Sequence, residues 1–208
     1  MNTLLAIGLG YSAKAVATDL KAKGWRVIGT TRGDFDVTDP PAIKRFAANL
    51  RDTPIDLLFC NAGTAGKRGT SIGSFDYASW EEVLRVNVLG AAAVAEAFVE
   101  NVAASERKTI AFMSSRLGSI AETGGHTLPY ATSKAALNML ARGFSISLQP
   151  RGILVLALHP GWVRTDMGGP GAPLEPEESV RGLRQVIAGS KKQDSGKFLS
   201  HDGAAIPW

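Results

Sequence analysis

The sequence predicts one α/β domain, a doubly wound and mostly parallel sheet of about six to seven strands with helices on both faces. Short apolar runs alternate with longer segments of helical periodicity, and these runs are apolar throughout rather than at every second position. Such runs are typical of strands in a parallel sheet that is covered on both sides. A length of 208 residues, 45% of them hydrophobic, suits a single core, so we expect one domain spanning residues 1–208.

The predicted strands are short apolar runs flanked by Gly, Asn, Ser or Pro. They are Leu4–Ile7, Arg26–Thr30, Leu57–Cys60, Thr109–Met113, Leu154–Leu158 and Lys197–Leu199. The segments between them have apolar residues at helical spacing. These predicted helices are Ala13–Lys23, Pro41–Leu50, Ser79–Val102, Tyr130–Leu148 and Pro176–Ala188. The Gly/Pro-rich stretch Gly168–Glu178 predicts a loop. Because ligands of such folds bind beyond the carboxyl ends of the strands, the residues after each strand are the candidates for a site.

Charge and cysteine content argue against several classes of protein. The net charge is +4, and no basic run exceeds the two residues of Lys191–Lys192, so nucleic acid is not an expected partner. Cys60 is the single cysteine, which excludes an intrachain disulfide and fits a reducing cytoplasm. His126 and His201 lack metal-ligand spacing, so no metal is expected. No apolar run approaches the ~18 residues of a membrane span, and we expect neither a signal peptide nor a membrane partner.

The first predicted strand leads into a glycine-rich loop in which Gly8, Gly10 and Ala13 have G-x-G-x-x-A spacing. Glycine there permits a tight turn and lets a pyrophosphate approach the N–H groups at a helix start. The alternative is a plain turn that packs a helix on a strand. The candidate nucleotide contacts of this loop are Gly8, Gly10, Tyr11, Ser12 and Ala13.

Arg32 follows the second strand, where the ribose 2′ group of a dinucleotide would lie. A carboxylate there would bond the ribose hydroxyls of NAD, whereas an arginine can pair with the 2′-phosphate of NADP. The residue therefore favours NADP as cofactor, with NAD as the alternative; an arginine in a solvated loop is the other interpretation.

Two asparagines come next along the chain. Asn61 and Gly63 follow the third strand, where the asparagine could brace the backbone and the glycine could make room for a ribose, although both are common turn residues. Asn87 lies within a predicted helix whose other inward positions are apolar. A buried amide needs hydrogen-bond partners, so Asn87 marks either a local helix distortion or a polar group held for use.

The fourth strand ends at Ser114 and Ser115, and Tyr130 and Lys134 follow in the next helix. Their i, i+4 spacing places the phenol and the ammonium on one helix face. An adjacent ammonium favours the phenolate and lowers the pKa of the tyrosine. A half-buried tyrosine beside a solvated lysine is the ordinary alternative. After the fifth strand, His159 is expected to be structural, because no carboxylate or nucleophile motif accompanies it.

The ordered motifs "GLGYSA", "CNAG", Asn87, "MSSRLGSIA", "YATSK" and "HPGWVRTDM" resemble the short-chain dehydrogenase/reductase family over nearly the whole chain. The segment Ser114–Gly169 and the terminal "DGAAIPW" are most similar to the branch of sniffer-type carbonyl reductases and C-factor signalling proteins. The resemblance implies a Rossmann fold that binds a nicotinamide dinucleotide.

The resemblance also implies the roles of particular residues. Tyr130 is the acid/base, Ser115 fixes the substrate oxygen, Lys134 lowers the tyrosine pKa and holds the nicotinamide ribose, and Asn87 supports a water in the proton relay. Ser115 is chosen over Ser114 because the S-x-x-G pattern ends at Gly118. The remaining implied contacts are Asp36 and Val37 near the adenine, Asn61, Ala62 and Gly63 on its ribose side, and Pro160, Gly161, Val163 and Thr165 around the nicotinamide.

The sequence departs from the family pattern at two places. Ile7 replaces the usual threonine before the glycine-rich loop. Only the short stretch between Thr30 and Asp36 follows the second strand, so we expect the family's usual helix there to be missing and its third strand to be reduced.

The function implied is that of an NADP-preferring carbonyl reductase or alcohol dehydrogenase that acts on a small carbonyl or alcohol. A nucleotide-binding signalling protein with little catalysis is the alternative, suggested by the C-factor likeness. The short loop at residues 165–178 is expected to border an open substrate site, and the state of assembly stays open.

Overall fold

The computed structural model describes the backbone of residues 1–208 and all side chains except those at positions 11 and 12. Its strands are β1 (Thr3–Ile7), β2 (Arg26–Thr30), β3 (Leu57–Cys60), β4 (Thr109–Met113), β5 (Leu154–His159) and β6 (Phe198–Ser200). They form one sheet in the order β2-β1-β3-β4-β5-β6, with every neighbouring pair parallel. The strand order reverses at β1 and β3, where a doubly wound sheet opens a crevice for ligands.

The helices are α1 (Tyr11–Ala22), α2 (Pro40–Ala48), α3 (Tyr77–Leu84), α4 (Ala91–Ala103), α5 (Leu128–Ser147) and α6 (Pro176–Gly189). The side chains of Asp39 and Asp76 cap α2 and α3 by accepting hydrogen bonds from backbone N–H groups of the first turn. A π-helix at Arg85–Gly90 joins α3 to α4. Short 3₁₀ turns lie at Arg116–Gly118, Gln149–Arg151 and Lys192–Asp194.

The sheet is covered on both faces because successive side chains of each strand point to opposite sides. Leu5 and Ile7 belong to a hydrophobic cluster that includes residues of α2, α4 and α5. Leu4 and Ala6 belong to a second cluster, which includes residues of α1 and α6. The predicted parallel sheet with helices on both faces is therefore confirmed.

The observed elements agree with the predicted ones to within two residues at each end, except at two places. The predicted helix Ser79–Val102 is divided into α3, the π-helix and α4. The loop predicted for Gly168–Glu178 was wrong at its end, because α6 already begins at Pro176. Proline suits the first turn of a helix, and the carboxylates of Glu177 and Glu178 are favourable near its positive end. The predicted helix starting at Tyr130 begins earlier, at Leu128.

The connection that follows β2 at the edge of the sheet is short, as expected. Residues 31–39 form turns and irregular backbone, α2 begins at Pro40, and β2 is the edge strand. As expected, the backbone between β2 and α2 forms neither a helix nor a further strand. Among the residues that the structure describes, every helix is too short or too polar to cross a membrane.

Candidate active site

A cavity of about 600 Å³ lies at the carboxyl ends of the strands. It extends from the glycine-rich loop after β1 to the loop after β5. Most of the predicted site residues line it: Gly8, Gly10, Arg32, Asp36, Val37, Asn61, Ala62, Gly63, Ser115, Tyr130, Lys134, Pro160, Gly161, Val163 and Thr165. This volume is in the range of ligand pockets.

The glycine-rich loop is held close to the backbone of the neighbouring strand end. Gly8 has a φ of 80°, and a Cβ atom on it would lie 2.6 Å from Ala62 Cα. The side chain of Asn61 donates a hydrogen bond to the Gly8 carbonyl over 2.8 Å, so Asn61 braces this loop. Gly10 is the N-cap residue of α1, and it has no side chain that could accept hydrogen bonds from the first N–H groups of the helix. The loop can therefore receive an anion at the helix start.

Three predicted contacts of this loop do not line the cavity with a described side chain. The side chains of Tyr11 and Ser12 lie outside the described residues. The methyl group of Ala13 is buried in the core cluster beneath α1. Ala13 therefore packs the helix against the sheet, and its backbone rather than its side chain is left for a ligand.

The predicted serine, tyrosine and lysine meet at one wall of the cavity. Ser115 follows β4 and caps the 3₁₀ turn, its hydroxyl oxygen accepting from the Leu117 N–H over 3.3 Å. The Lys134 ammonium donates to the Met113 carbonyl over 2.8 Å and lies 5.4 Å from the centre of the Tyr130 ring. The expected i, i+4 arrangement on one helix face is present.

Burial dominates the proton affinities of this pair. It raises the pKa of Tyr130 to about 12, and a hydrogen bond from Ser115 offsets part of that rise. It lowers the pKa of Lys134 to about 8, because the ammonium is removed from water. The net lowering of the tyrosine pKa that the sequence predicted is therefore not observed, because desolvation of the phenol is the largest cause and raises the pKa.

Asn87 is buried in the π-helix and does not line the cavity itself. Its amide oxygen accepts from the Thr64 N–H over 2.8 Å, and its nitrogen donates to the Thr64 carbonyl and to Ser133 Oγ, each over 2.9 Å. The amide is thus fully hydrogen-bonded within a distorted stretch of helix, as the first of the two interpretations expects. A Cβ atom on Gly63 would lie 3.2 Å from Asn87 Oδ1 and 3.6 Å from Lys134 Nζ, so glycine leaves the space between them clear.

Arg32 lies on the exposed turn after β2 and lines the cavity at its far end. Nearby, hydrogen bonds from the backbone and hydroxyl of Thr38 lower the pKa of Asp36, and the charges of Arg32 and Arg85 add to this effect. Asp36 is therefore ionised at neutral pH, and it faces the same cavity as Arg32.

The opposite end of the cavity is formed by the loop after β5. Gly161 has a φ of 86°, and Thr165 Oγ1 accepts from the Gly168 N–H over 3.2 Å. The lining residues that sequence reasoning missed include the large apolar side chains of Trp162 and Met167 in this loop and of Leu117 beyond Ser115. These large apolar side chains are partly exposed, and that exposure, which appears only in the folded chain, is the signal that identifies them.

His159 also lines the cavity, next to the serine turn. Its Nδ1 accepts a hydrogen bond from the Arg116 N–H over 3.2 Å. Burial, with a smaller contribution from the Arg116 charge, lowers its pKa to about 4, so the imidazole is neutral at physiological pH. This agrees with a structural histidine. Among the described residues, no group of three His, Cys, Asp or Glu side chains could hold a metal ion.

The sheet order, the glycine-rich loop at the start of α1 and the cavity at the switch in strand order define a doubly wound, dinucleotide-binding class of protein. A family model described as short chain dehydrogenase matches residues 5–173. The chain therefore belongs to the short-chain dehydrogenase/reductase family of oxidoreductases.

Individual relatives agree with this assignment. C-signal of Myxococcus xanthus is 40% identical over 167 residues, which are 80% of this chain and 100% of that protein. A short-chain dehydrogenase/reductase of Burkholderia multivorans, solved with bound NADP, has a TM-score of 0.89 and 30% identity and covers 100% of this chain and 99% of its own. Carbonyl reductase Sniffer of D. melanogaster has a TM-score of 0.85 and 27% identity, with 100% of both chains covered. The predicted resemblance to the sniffer and C-factor branch is confirmed.

Proposed function

We propose that the protein is a carbonyl reductase or alcohol dehydrogenase that uses NADP(H), with NAD as the weaker alternative, on a small-molecule carbonyl or alcohol. The observation that carries the proposal is the meeting of Ser115, Tyr130 and Lys134 at one wall of a cavity that continues to the glycine-rich loop. A protein that only binds a nucleotide has no need of the tyrosine at that wall.

The residues present fit a nicotinamide dinucleotide. Gly8 leaves a space that a Cβ atom would fill, and the helix start behind Gly10 offers N–H groups to a pyrophosphate. Arg32 stands at the end of the cavity where a 2′-phosphate would be neutralised. Lys134 carries three N–H donors, of which the Met113 carbonyl takes one, so donors remain for ribose hydroxyls. The Burkholderia relative with this fold holds NADP.

The nicotinamide, when bound, supplies or receives the hydride. In the reducing direction Tyr130 donates its proton to the carbonyl oxygen, and Ser115 donates a hydrogen bond to the same oxygen as it gains charge. The raised pKa of Tyr130 keeps the phenol protonated at neutral pH, which is the form needed for donation. The Lys134 ammonium lies against the ring and stabilises the phenolate that remains.

Asn87 supports this arrangement from behind the cavity. It holds the Thr64 backbone and Ser133, and the space that Gly63 leaves free lies beside both its amide oxygen and the Lys134 ammonium. We assign Asn87 to the proton path through a water beside Lys134. On the substrate side, residues 165–168 and the apolar side chains of Leu117 and Trp162 form the wall against which the substrate packs.

The test is NADPH oxidation by the purified protein with a panel of ketones, aldehydes and quinones. We expect Tyr130→Phe to abolish turnover while leaving the Kd for NADPH unchanged, because the ring stays and only the proton donor is lost. Tyr77→Phe is the matched control, since Tyr77 is exposed on α3 and does not line the cavity. Full turnover by Tyr130→Phe would eliminate the mechanism.

The identity of 40% with C-signal favours a second candidate, a nucleotide-binding signalling protein with little catalysis. The two candidates differ in one measurement. Binding of NADPH by calorimetry, without oxidation by any member of the carbonyl panel, would support the signalling protein. Oxidation that depends on Tyr130 would support the enzyme.

A further inference from the structure

A buried amide continues the row of functional side chains on α5. Tyr130, Lys134 and Asn138 are spaced four residues apart, so their side chains lie along one side of the helix. Asn138 is 2% exposed and has no part in the proposed chemistry. An asparagine is costly to bury unless its amide is fully bonded, so its partners show what it holds.

The amide of Asn138 is bonded at both ends. Its oxygen accepts a hydrogen bond from the Ser114 hydroxyl over 2.5 Å, and its nitrogen donates to the Gly118 carbonyl over 3.2 Å. A carbonyl oxygen can only accept, which places the amide nitrogen toward Gly118 and leaves the amide oxygen for Ser114.

These two partners flank Ser115 on both sides. Ser114 precedes it and is tied to β5 by the hydrogen bond from its N–H to the Leu158 carbonyl over 2.7 Å. Gly118 ends the turn, and its N–H donates to the Ser115 carbonyl over 2.8 Å. Gly118 also lies directly on α5, because a Cβ atom there would lie 2.7 Å from the Lys134 carbonyl carbon. The serine segment is therefore fastened to the helix at each end.

We propose that Asn138 is a positioning residue, which holds the Ser115 segment against the face of α5 that carries Tyr130 and Lys134. The inference rests on the proposed function, in which the serine hydroxyl and the phenol act on one oxygen atom. Asn138 touches neither substrate nor cofactor; it fixes the distance between two groups that sit on different elements. A misplacement of about 1 Å at such a site can reduce the rate by about 100-fold.

Asn101 provides a matched control. It is buried in α4, and its side-chain nitrogen donates to the Leu50 carbonyl over 2.6 Å and to the Thr53 carbonyl over 2.9 Å. It thus fastens a loop to a helix as Asn138 does, but the loop precedes β3 and does not line the cavity. Leucine at either position keeps the shape and removes both hydrogen bonds.

The first test compares turnover. For Asn138→Leu we expect a kcat about 10- to 100-fold below that of the wild type, with an unchanged Kd for NADPH. For Asn101→Leu we expect wild-type kcat at temperatures where the variant is folded. Wild-type kcat in Asn138→Leu, or equal losses in both variants, would overturn the proposal.

The second test does not need turnover. Hydrogen exchange should show faster exchange of the Leu117 and Gly118 amides in Asn138→Leu, because these N–H groups bond to Ser115, and no change there in Asn101→Leu. If the wild type oxidises no NADPH, the proposed function fails, and exchange still decides whether Asn138 holds the segment. Should Asn138→Leu not fold, Ser114→Ala removes one of the two bonds and should accelerate the same amides; wild-type exchange there would overturn the proposal.

Discussion

The buried ammonium of Lys134 should make the folded protein less stable at neutral pH than a neutral side chain at the same position would. Burial lowers its pKa to about 8, against an ordinary value of about 10.4. One pKa unit corresponds to about 1.4 kcal/mol, so charging this group costs the folded state about 3 kcal/mol more than it costs the unfolded chain. Lys134→Met removes that cost together with the charge.

The sign of the pH dependence follows from proton binding. Between the two pKa values the unfolded chain binds more protons at this position than the folded chain, so the free energy of unfolding of the wild type rises with pH there. Below a pH of about 8 both states are protonated and the cost is constant. From about pH 8 to about pH 9.5 we expect the wild type to gain about 2 kcal/mol relative to Lys134→Met.

Urea unfolding at fixed ionic strength, repeated across this pH range, measures the effect. The difference in unfolding free energy between wild type and Lys134→Met at a single pH is less informative. In the variant the Met113 carbonyl loses its donor, and an unpaired buried carbonyl itself costs about 1–3 kcal/mol. Lys44→Met is the control, since Lys44 is exposed on α2. Parallel profiles for the wild type and Lys134→Met would refute the reasoning, as would an equal change of slope in Lys44→Met.

Three further predictions concern the loop, the cofactor and acid stability. Gly24→Ala should lower the free energy of unfolding in urea by about 1–2 kcal/mol, because its φ is positive and nothing lies near its Cβ position. Gly8→Ala should lower it by more, because its Cβ also clashes with Ala62. Equal losses in the two variants would contradict the close approach of Gly8 to Ala62. Arg32→Ala should raise the Kd for NADPH about 10- to 100-fold and leave that for NADH unchanged, measured by calorimetry; equal changes would remove the NADP preference. Burial lowers the pKa of His159 to about 4, so the unfolded chain binds the proton first as the pH falls from about 6.5. Between about pH 6.5 and about pH 4, the free energy of unfolding of His159→Asn should therefore fall by about 3 kcal/mol less than that of the wild type. Identical acid unfolding profiles for the two proteins would contradict this.

The periodicity of the sequence determined most of the fold. Runs that are apolar throughout placed the strands, because a strand buried on both faces has no polar positions. The order of motifs predicted which residues lie at the carboxyl ends of the strands, and there the chain brings Gly8, Arg32, Ser115 and Lys134 to one cavity. These features depend on residues that are close together in the chain, or on the simple rule that parallel strands end at the same edge.

Tertiary structure alone decided the proton affinities and the supporting contacts. The direction of the Tyr130 pKa change depends on how much of the phenol is buried, which spacing along α5 does not give. The hydrogen bonds of the two buried asparagine side chains join residues that are far apart in sequence. Asn87 bonds to Thr64, and Asn138 bonds to Gly118. Burial and long-range hydrogen bonds arise from the packing of several elements at once, so no local pattern in the sequence can specify them.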